Sequence, residues 1–369
     1  MAGPIRTVIP PGRGDDLADV PLDKDTMRLL EALRAAPPMD LLSLPPEQAR
    51  LAARAALFTA DPGKPVRIHD ERIEVPGQAD VPVRVYQPVE PAGPVPALLY
   101  LHGGGWLVGD LDTIDHLCRA IAHDAGCVVV SADYRLAPEH PYPAGLRDAE
   151  AALGWLAEQS GRLGFDPALI AVGGDSAGAN LATALCLRVR DMGGPPVALQ
   201  LLAYPVADHR FDTASYLANA EGFLLTRKAM MGYWERYLAR PEDGDSPYTS
   251  VLRADLSGLP PAFILTASHD PLRDEGEALA HRMSEAAVRV RCTRFNGTIH
   301  GFLVRFPLLR VGRVALAAVV DVLRAITTQP RIWPTRLIIE EVGPLVYSAD
   351  SGEQVNQANV PINTEASGA

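Results

Sequence analysis

Cysteine is scarce in this chain. The four cysteines among 369 residues (Cys118, Cys127, Cys186 and Cys292) lie far apart, with no C-x-x-C pair. That spacing argues against a disulfide framework or a thiolate metal site and reads as buried free thiols. Basic charge is also short: 34 Lys and Arg face 45 Asp and Glu, for a formal net charge of -11. Nucleic acid and an anionic membrane surface are thereby disfavoured as main partners, leaving a small or neutral substrate. No apolar run approaches the roughly 18 residues that a membrane span requires. Residues 1–16 are rich in Pro and Gly and lack the apolar centre of a signal peptide, so a cytoplasmic setting is expected. Internal repeats are absent. What remains is an ordinary globular composition, 47% hydrophobic and 21% charged, in a length that suits one large α/β domain with an inserted or appended cap.

The pattern along the chain divides into two rhythms. Residues 24–36 and 47–58 read as helices separated by the Pro-rich stretch 37–46, and residues 66–75 and 81–87 read as an antiparallel hairpin turned at Pro76-Gly77. From residue 97 onward, strand-like segments (97–101, 127–132, 170–172, 199–204, 263–265 and 288–295) alternate with helix-like ones (114–125, 144–158, 180–190, 274–286 and 307–326). Alternation of this kind predicts an α/β fold with a mostly parallel sheet and helices on both faces. Residues 205–253 interrupt it without a strand of their own and carry one clear helix, 227–238, as an insertion would. Beyond residue 326, Gln329-Pro330 and Trp333-Pro334 end the helix, residues 337–341 offer one more strand, and the polar stretch 348–369 is expected to be disordered.

Gly174-Asp175-Ser176-Ala177-Gly178 joins a strand to a helix, the setting of a nucleophile elbow. Small residues are needed on both sides of Ser176, because a Cβ at Gly174 or Gly178 would collide with neighbouring backbone. A serine nucleophile needs a base on a loop at the carboxyl end of a strand. Of the histidines that follow, His281 falls inside a helix, His209 opens the insertion, and His269 adjoins Asp270, whose side chain diverges from it. His300, in a loop flanked by Gly297 and Gly301, is left as general base and acid. Asp270, Asp274 and Glu275 compete to orient it. Asp270 lies nearest the strand end, whereas the other two sit in a first helical turn that favours acids for its dipole alone, so Asp270 is selected. The order Ser176, Asp270, His300 is that of α/β-hydrolases.

An oxyanion site is expected at His102-Gly103-Gly104-Gly105-Trp106, where bare glycine N–H groups follow a strand. Gly104 and Gly105, with Gly103 as a third, would act together with the N–H of Ala177. A phosphate loop is excluded by the missing Walker lysine and the missing G-x-G-x-x-G spacing. His102 reads as an anchor for the loop, and Asp175 as support for the elbow.

Taken together, His102-Gly103-Gly104-Gly105, Asp133-Tyr134-Arg135-Leu136-Ala137-Pro138-Glu139, the elbow, Asp270-Pro271-Leu272-Arg273-Asp274-Glu275 and Ile299-His300-Gly301-Phe302 resemble the hormone-sensitive-lipase-like esterases, the bacterial family IV carboxylesterases. The likeness runs from about residue 50 to 326. It implies an α/β-hydrolase core, a helical cap, hydrolysis of short-acyl esters, and Ser176, Asp270 and His300 as the triad. Thr298 departs from it, standing where Met is frequent, and the stretch after residue 326 exceeds the usual end. The implied organisation is an N-terminal cap segment (1–50), core (51–205), cap insertion (206–253), core (254–326) and C-terminal extension (327–369).

For the substrate pocket, Trp106 beside the oxyanion glycines is the leading wall, with Phe223, Leu224, Met230 and Trp234 of the insertion as further candidates. The helical spacing of the insertion residues suits plain core packing equally well. Asp133, Arg135 and Glu139 are read as a local ion-pair network rather than as reacting groups. The expected partner is a small-molecule ester, with no nucleic acid, no membrane span, and room for a homodimer. The motifs require neither a cofactor nor a metal. Competing readings are an amidase or lactonase with the same triad, or a non-catalytic small-molecule receptor on this fold.

Overall fold

The computed structural model describes residues 7–9, 20–36, 40–57, 63–89, 95–326, 337 and 339–343. The expectation of disorder at 348–369 therefore lies outside the described residues. Within them, ten strands form one sheet: β1 (Thr7–Ile9), β2 (Val66–Ile73), β3 (Val81–Pro88), β4 (Val95–Leu101), β5 (Val128–Ala132), β6 (Phe165–Asp175), β7 (Leu199–Ala203), β8 (Ala262–His269), β9 (Val290–Ile299) and β10 (Ile339–Val342). Their spatial order is β1-β10-β9-β8-β7-β6-β4-β5-β3-β2. Every neighbouring pair from β10 to β5 is parallel. The expected hairpin of β2 and β3 is antiparallel, with Ile73 opposite Val81, and extends one edge. At the other edge β1 pairs antiparallel with β10.

The central parallel strands are buried on both faces, so β4, β5, β7 and β8 are near-continuous apolar runs, whereas the edge hairpin of β2 and β3 is partly exposed. In β4, Leu98 and Tyr100 point to one face, while Ala97, Leu99 and Leu101 point to the other. The first face is covered by α3 (Leu111–Ala125) and α10 (Arg310–Ala325), through Leu117, Ile121, Val319 and Leu323. The second is covered by α4 (Ala144–Glu158), α6 (Ala177–Met192) and α9 (Arg273–Glu285), through Leu153, Leu181, Leu185 and Met283; α5 (Ser160–Leu163) leads into β6. Each fully buried leucine here stabilises the fold by about 1.5–3 kcal/mol.

Several strands extend further than the sequence pattern predicts, β8 among them, which runs to His269 rather than ending at residue 265. β6 begins at Phe165, ahead of Pro167, because its partner β4 also starts early, with Val95 opposite Phe165 and a register shift before Ala97. β9 runs on through Asn296-Gly297-Thr298 to Ile299, accommodated by a shift opposite Ser268 and a left-handed Gly297 (φ 79°). That extension delivers His300 directly from a strand end.

The N-terminal helices are α1 (Lys24–Ala35) and α2 (Pro46–Leu57), with a 3₁₀ turn at Leu41–Ser43 between them. Asp23 caps α1, accepting from the N–H groups of Asp25 (2.9 Å) and Thr26 (2.8 Å), while its own N–H donates to the Gly297 carbonyl (2.8 Å). The α1 start is thereby fixed to the end of β9. Thr26 and Thr298, both fully buried, meet hydroxyl to hydroxyl at 3.3 Å. Threonine at 298 thus has a partner in α1. Between β7 and β8 the chain has no strand. It forms α7 (Ala214–Ala218), α8 (Arg227–Tyr237) and 3₁₀ turns at Pro241–Asp245 and Val251–Arg253. Arg236 of α8 donates to the Leu42 carbonyl (2.9 Å), which joins this insertion to the N-terminal segment.

Candidate active site

Ser176 stands between the end of β6 and the first residue of α6, with φ 56° and ψ -119°. Its N–H donates to the Ala203 carbonyl at 2.9 Å. A Cβ added to Gly174 or Gly178 would strike the Leu101 carbonyl oxygen, so the glycines at both ends of the elbow are required by the approach of β4.

The Ser176 Oγ lies 3.0 Å from His300 Nε2, and His300 Nδ1 lies 2.8 Å from Asp270 Oδ2. Asp270 is fully buried, and its Oδ1 accepts the Leu272 N–H at 2.9 Å. With Oδ1 so engaged, Oδ2 is the oxygen that faces the imidazole. Tyr204 stands edge-on to the His300 ring at 4.7 Å. The rejected candidates are spent elsewhere. His269 pairs with Ser268 Oγ (2.8 Å) and packs on Phe223, and the His209 ring lies against Trp234. Asp274 accepts the Ser215 N–H at 2.7 Å. Glu275 accepts the Ala207 N–H at 2.8 Å, and its burial holds the carboxyl well above the usual glutamate range.

The three loop glycines divide their tasks. Gly103 does not offer its N–H to a ligand, contrary to its placement in the oxyanion set, because that N–H donates to Asp175 Oδ1 at 3.0 Å. Gly104 (φ 113°) and Gly105 (φ 61°) adopt left-handed backbone, and the Gly104 carbonyl accepts from Leu107 (3.1 Å) and Val108 (3.0 Å) to close the turn. Among the described residues no hydrogen bond engages the N–H of Gly104 or Gly105. Ala177 opens α6, and the first N–H groups of a helix have no intrahelical acceptor. His102 anchors the loop: its ring stacks on Tyr134 at 4.4 Å, and the Tyr134 hydroxyl donates to the His102 carbonyl at 2.7 Å.

The expected pocket residues need correction. Trp106 is 1% exposed, stacked on Tyr237 at 4.1 Å and edge-on to Trp234 at 4.9 Å, so its indole belongs to the core. Met230 and Trp234 are buried in the same cluster. Phe223 lies against His269, and Leu224, with φ 73°, is 40% exposed. A cavity of about 250 Å³ lies between the N-terminal segment and α8, lined by Leu42, Leu44, Ala49, Val108, Tyr233 and Arg236, and neither the triad nor the oxyanion glycines border it. Its N-terminal side comes from the apolar run 41–44 and α2, a signal that sequence reasoning passed over. The ring of Tyr233 also lies directly against Gly105. The expected Asp133, Arg135 and Glu139 network is not formed either. Arg135 instead reaches Asp148 of α4 (2.7 Å), and Glu139 pairs with Arg50 of α2 (2.6 Å).

All four cysteines are buried free thiols. Among the described residues no group of His, Cys, Asp and Glu could hold a metal, and no helix is long and apolar enough to cross a membrane.

A mostly parallel sheet bearing a serine, an aspartate and a histidine at the carboxyl ends of β6, β8 and β9 defines a class. Residues 98–304 match the family described as alpha/beta hydrolase fold, and the chain belongs to it, in the hormone-sensitive-lipase-like (bacterial family IV) branch. It is 44% identical over 248 residues to carboxylesterase NlhH of Mycobacterium tuberculosis, an alignment covering 66% of this chain and 77% of that protein. It is 34% identical over 307 residues to an ethyl acetate hydrolase of Pseudomonas putida (81% and 96% covered). The hyperthermophilic esterase of the archaeon Pyrobaculum calidifontis superposes with a TM-score of 0.78 at 37% identity (83% and 99% covered). The protein is a carboxylic ester hydrolase.

Proposed function

We propose that this ester hydrolase works through an acyl-enzyme on Ser176. His300 Nε2 takes the Ser176 proton as Oγ attacks the ester carbonyl, then returns a proton to the departing alcohol. Asp270 Oδ2 accepts the Nδ1 proton, holds that tautomer and stabilises the imidazolium. Water, activated by the same imidazole, then releases the acid. The developing oxyanion is met by the N–H groups of Gly104, Gly105 and Ala177. The single observation that carries this reading is the unbroken line from Ser176 Oγ through His300 to Asp270, at 3.0 and 2.8 Å.

The substrates are short- to medium-chain acyl esters, of about two to eight carbons, each buried CH₂ adding about 0.8 kcal/mol until the space is filled. A relative named for ethyl acetate supports small esters. The N-terminal segment and the insertion after β7 act together as the cap, a reading supported by the bond from Arg236 to Leu42. Four buried, unpaired thiols support a cytoplasmic setting.

The test is hydrolysis of p-nitrophenyl esters by the wild type and Ser176→Ala. Loss of nearly all p-nitrophenyl butyrate turnover in the folded variant is expected, and equal rates would refute the mechanism. Across the ester series kcat/KM is expected to peak at or below eight carbons; a continued rise to long chains refutes the size limit.

A further inference from the structure

Asp175 is a buried carboxylate next to the nucleophile that no step above uses. Its Oδ1 accepts two hydrogen bonds, from the Gly103 N–H and from the Tyr100 hydroxyl, each at 3.0 Å. Burial pushes its pKa up, while those two donors and the neighbouring His102 and His300 pull it down. Bringing a carboxylate into this position is costly and is offset only by well-made bonds.

The fit is specific to the glycine opposite. A Cβ on Gly103 would strike Asp175 Oδ2 and approach the Asp175 carbonyl to 2.9 Å. Gly103 is therefore bare to admit this carboxylate, and its N–H is consumed in holding it. Asp175 precedes Ser176 directly, and Gly103 precedes Gly104 directly. One oxygen thus bridges the two segments that must keep a fixed separation when an ester carbonyl is attacked.

We propose that Asp175 is a positioning residue that clamps the glycine loop to the nucleophile turn and thereby aims the N–H groups of Gly104 and Gly105 at the oxyanion. It does so as a hydrogen-bond acceptor, with Tyr100 holding the carboxylate from the sheet side. The inference rests on the proposed oxyanion hole. Misaimed donors weaken transition-state stabilisation while leaving ground-state binding alone, so the effect falls on kcat rather than KM.

The experiment compares Asp175→Ala and Asp175→Asn in steady-state hydrolysis of p-nitrophenyl butyrate and in the rate of Ser176 inactivation by a p-nitrophenyl phosphonate, with folding checked by circular dichroism. Asp175→Ala is expected to lower kcat and the inactivation rate by about 10²-fold, the scale of losing one oxyanion donor, at unchanged KM. Asp175→Asn retains the oxygen acceptor and restores most of both rates. Wild-type rates in Asp175→Ala, or an Asn variant as impaired as the Ala variant, overturn the proposal. If Asp175→Ala does not fold, Gly103→Ala, whose methyl displaces the carboxylate, replaces it: the same kcat loss supports the clamp and wild-type kcat overturns it. A wild type that the phosphonate fails to label on Ser176 refutes the underlying mechanism instead, a result separable from either of these.

Discussion

Arg50 of α2 holds Glu139 with two parallel hydrogen bonds, 3.0 Å from Nη1 and 2.6 Å from Nη2. The same guanidinium donates to the carbonyls of Leu107 (3.1 Å) and Ala137 (3.2 Å), so one side chain seats the N-terminal segment on the loop that follows the oxyanion glycines. The ion pair is partly exposed and contributes little by itself, whereas the two carbonyl bonds are better shielded. Arg50→Ala is expected to destabilise by about 1–2 kcal/mol and to speed proteolysis ahead of α2. Arg50→Lys should recover little of this, because an ammonium lacks the planar fork. Melting curves and limited proteolysis provide the check, and a Lys variant equal to wild type would contradict the fork geometry.

Asp270→Asn keeps the size of the side chain but can present an amide N–H where the Nδ1 proton of His300 needs an acceptor. The expected outcome is a fall in kcat of about 10⁴-fold with KM little changed, because the imidazole is held in the wrong tautomer. Steady-state kinetics on p-nitrophenyl butyrate settle it. A loss under about tenfold would remove Asp270 from the mechanism.

Glu275 supplies a pH prediction. Its carboxyl is buried, with Asp208, Asp270 and the Tyr216 hydroxyl nearby, and burial raises its pKa well above 4.5. The folded state therefore holds this proton more tightly than the unfolded chain does. The associated stability is fully present below pH 4.5 and is lost as pH rises through the folded-state value, by about 1.4 kcal/mol for each pH step between the two. Glu275→Gln retains an acceptor for the Ala207 N–H and cannot titrate. Its melting temperature relative to wild type should rise with pH above that threshold; a constant difference would mean that Glu275 does not titrate in this way.

Much of the architecture was legible because α/β repetition writes itself into local pattern. Apolar runs such as Val128–Ala132 alternate with amphipathic helices, and Ser176, Asp270 and His300 each follow a strand that the pattern marks. What was not legible depends on distant partners. Three consecutive glycines look alike in sequence, and only the arrival of Asp175, 72 positions later, separates Gly103 from the other two. Trp106 reads as a pocket wall until Tyr237 and Trp234 pack around it. Asn296-Gly297-Thr298 reads as a loop, yet neighbouring β8 carries it onward as strand. The leucines at 41, 42 and 44 carry little period of their own and find their neighbours only when Leu107, Val108 and, from α8, Tyr233 close over them.

The backbone at Ser176, with φ 56° and ψ -119°, sets evolution two opposed goals at one position. A side chain held in so sparsely populated a region costs of order 1–3 kcal/mol, and glycine would be nearly free of that cost. Ser176→Gly should therefore melt several degrees above wild type while hydrolysing nothing measurable, a pairing that calorimetry and a p-nitrophenyl assay can check together. A library of variants selected for heat resistance alone would drift towards discarding the nucleophile. Only selection on turnover keeps serine at this turn.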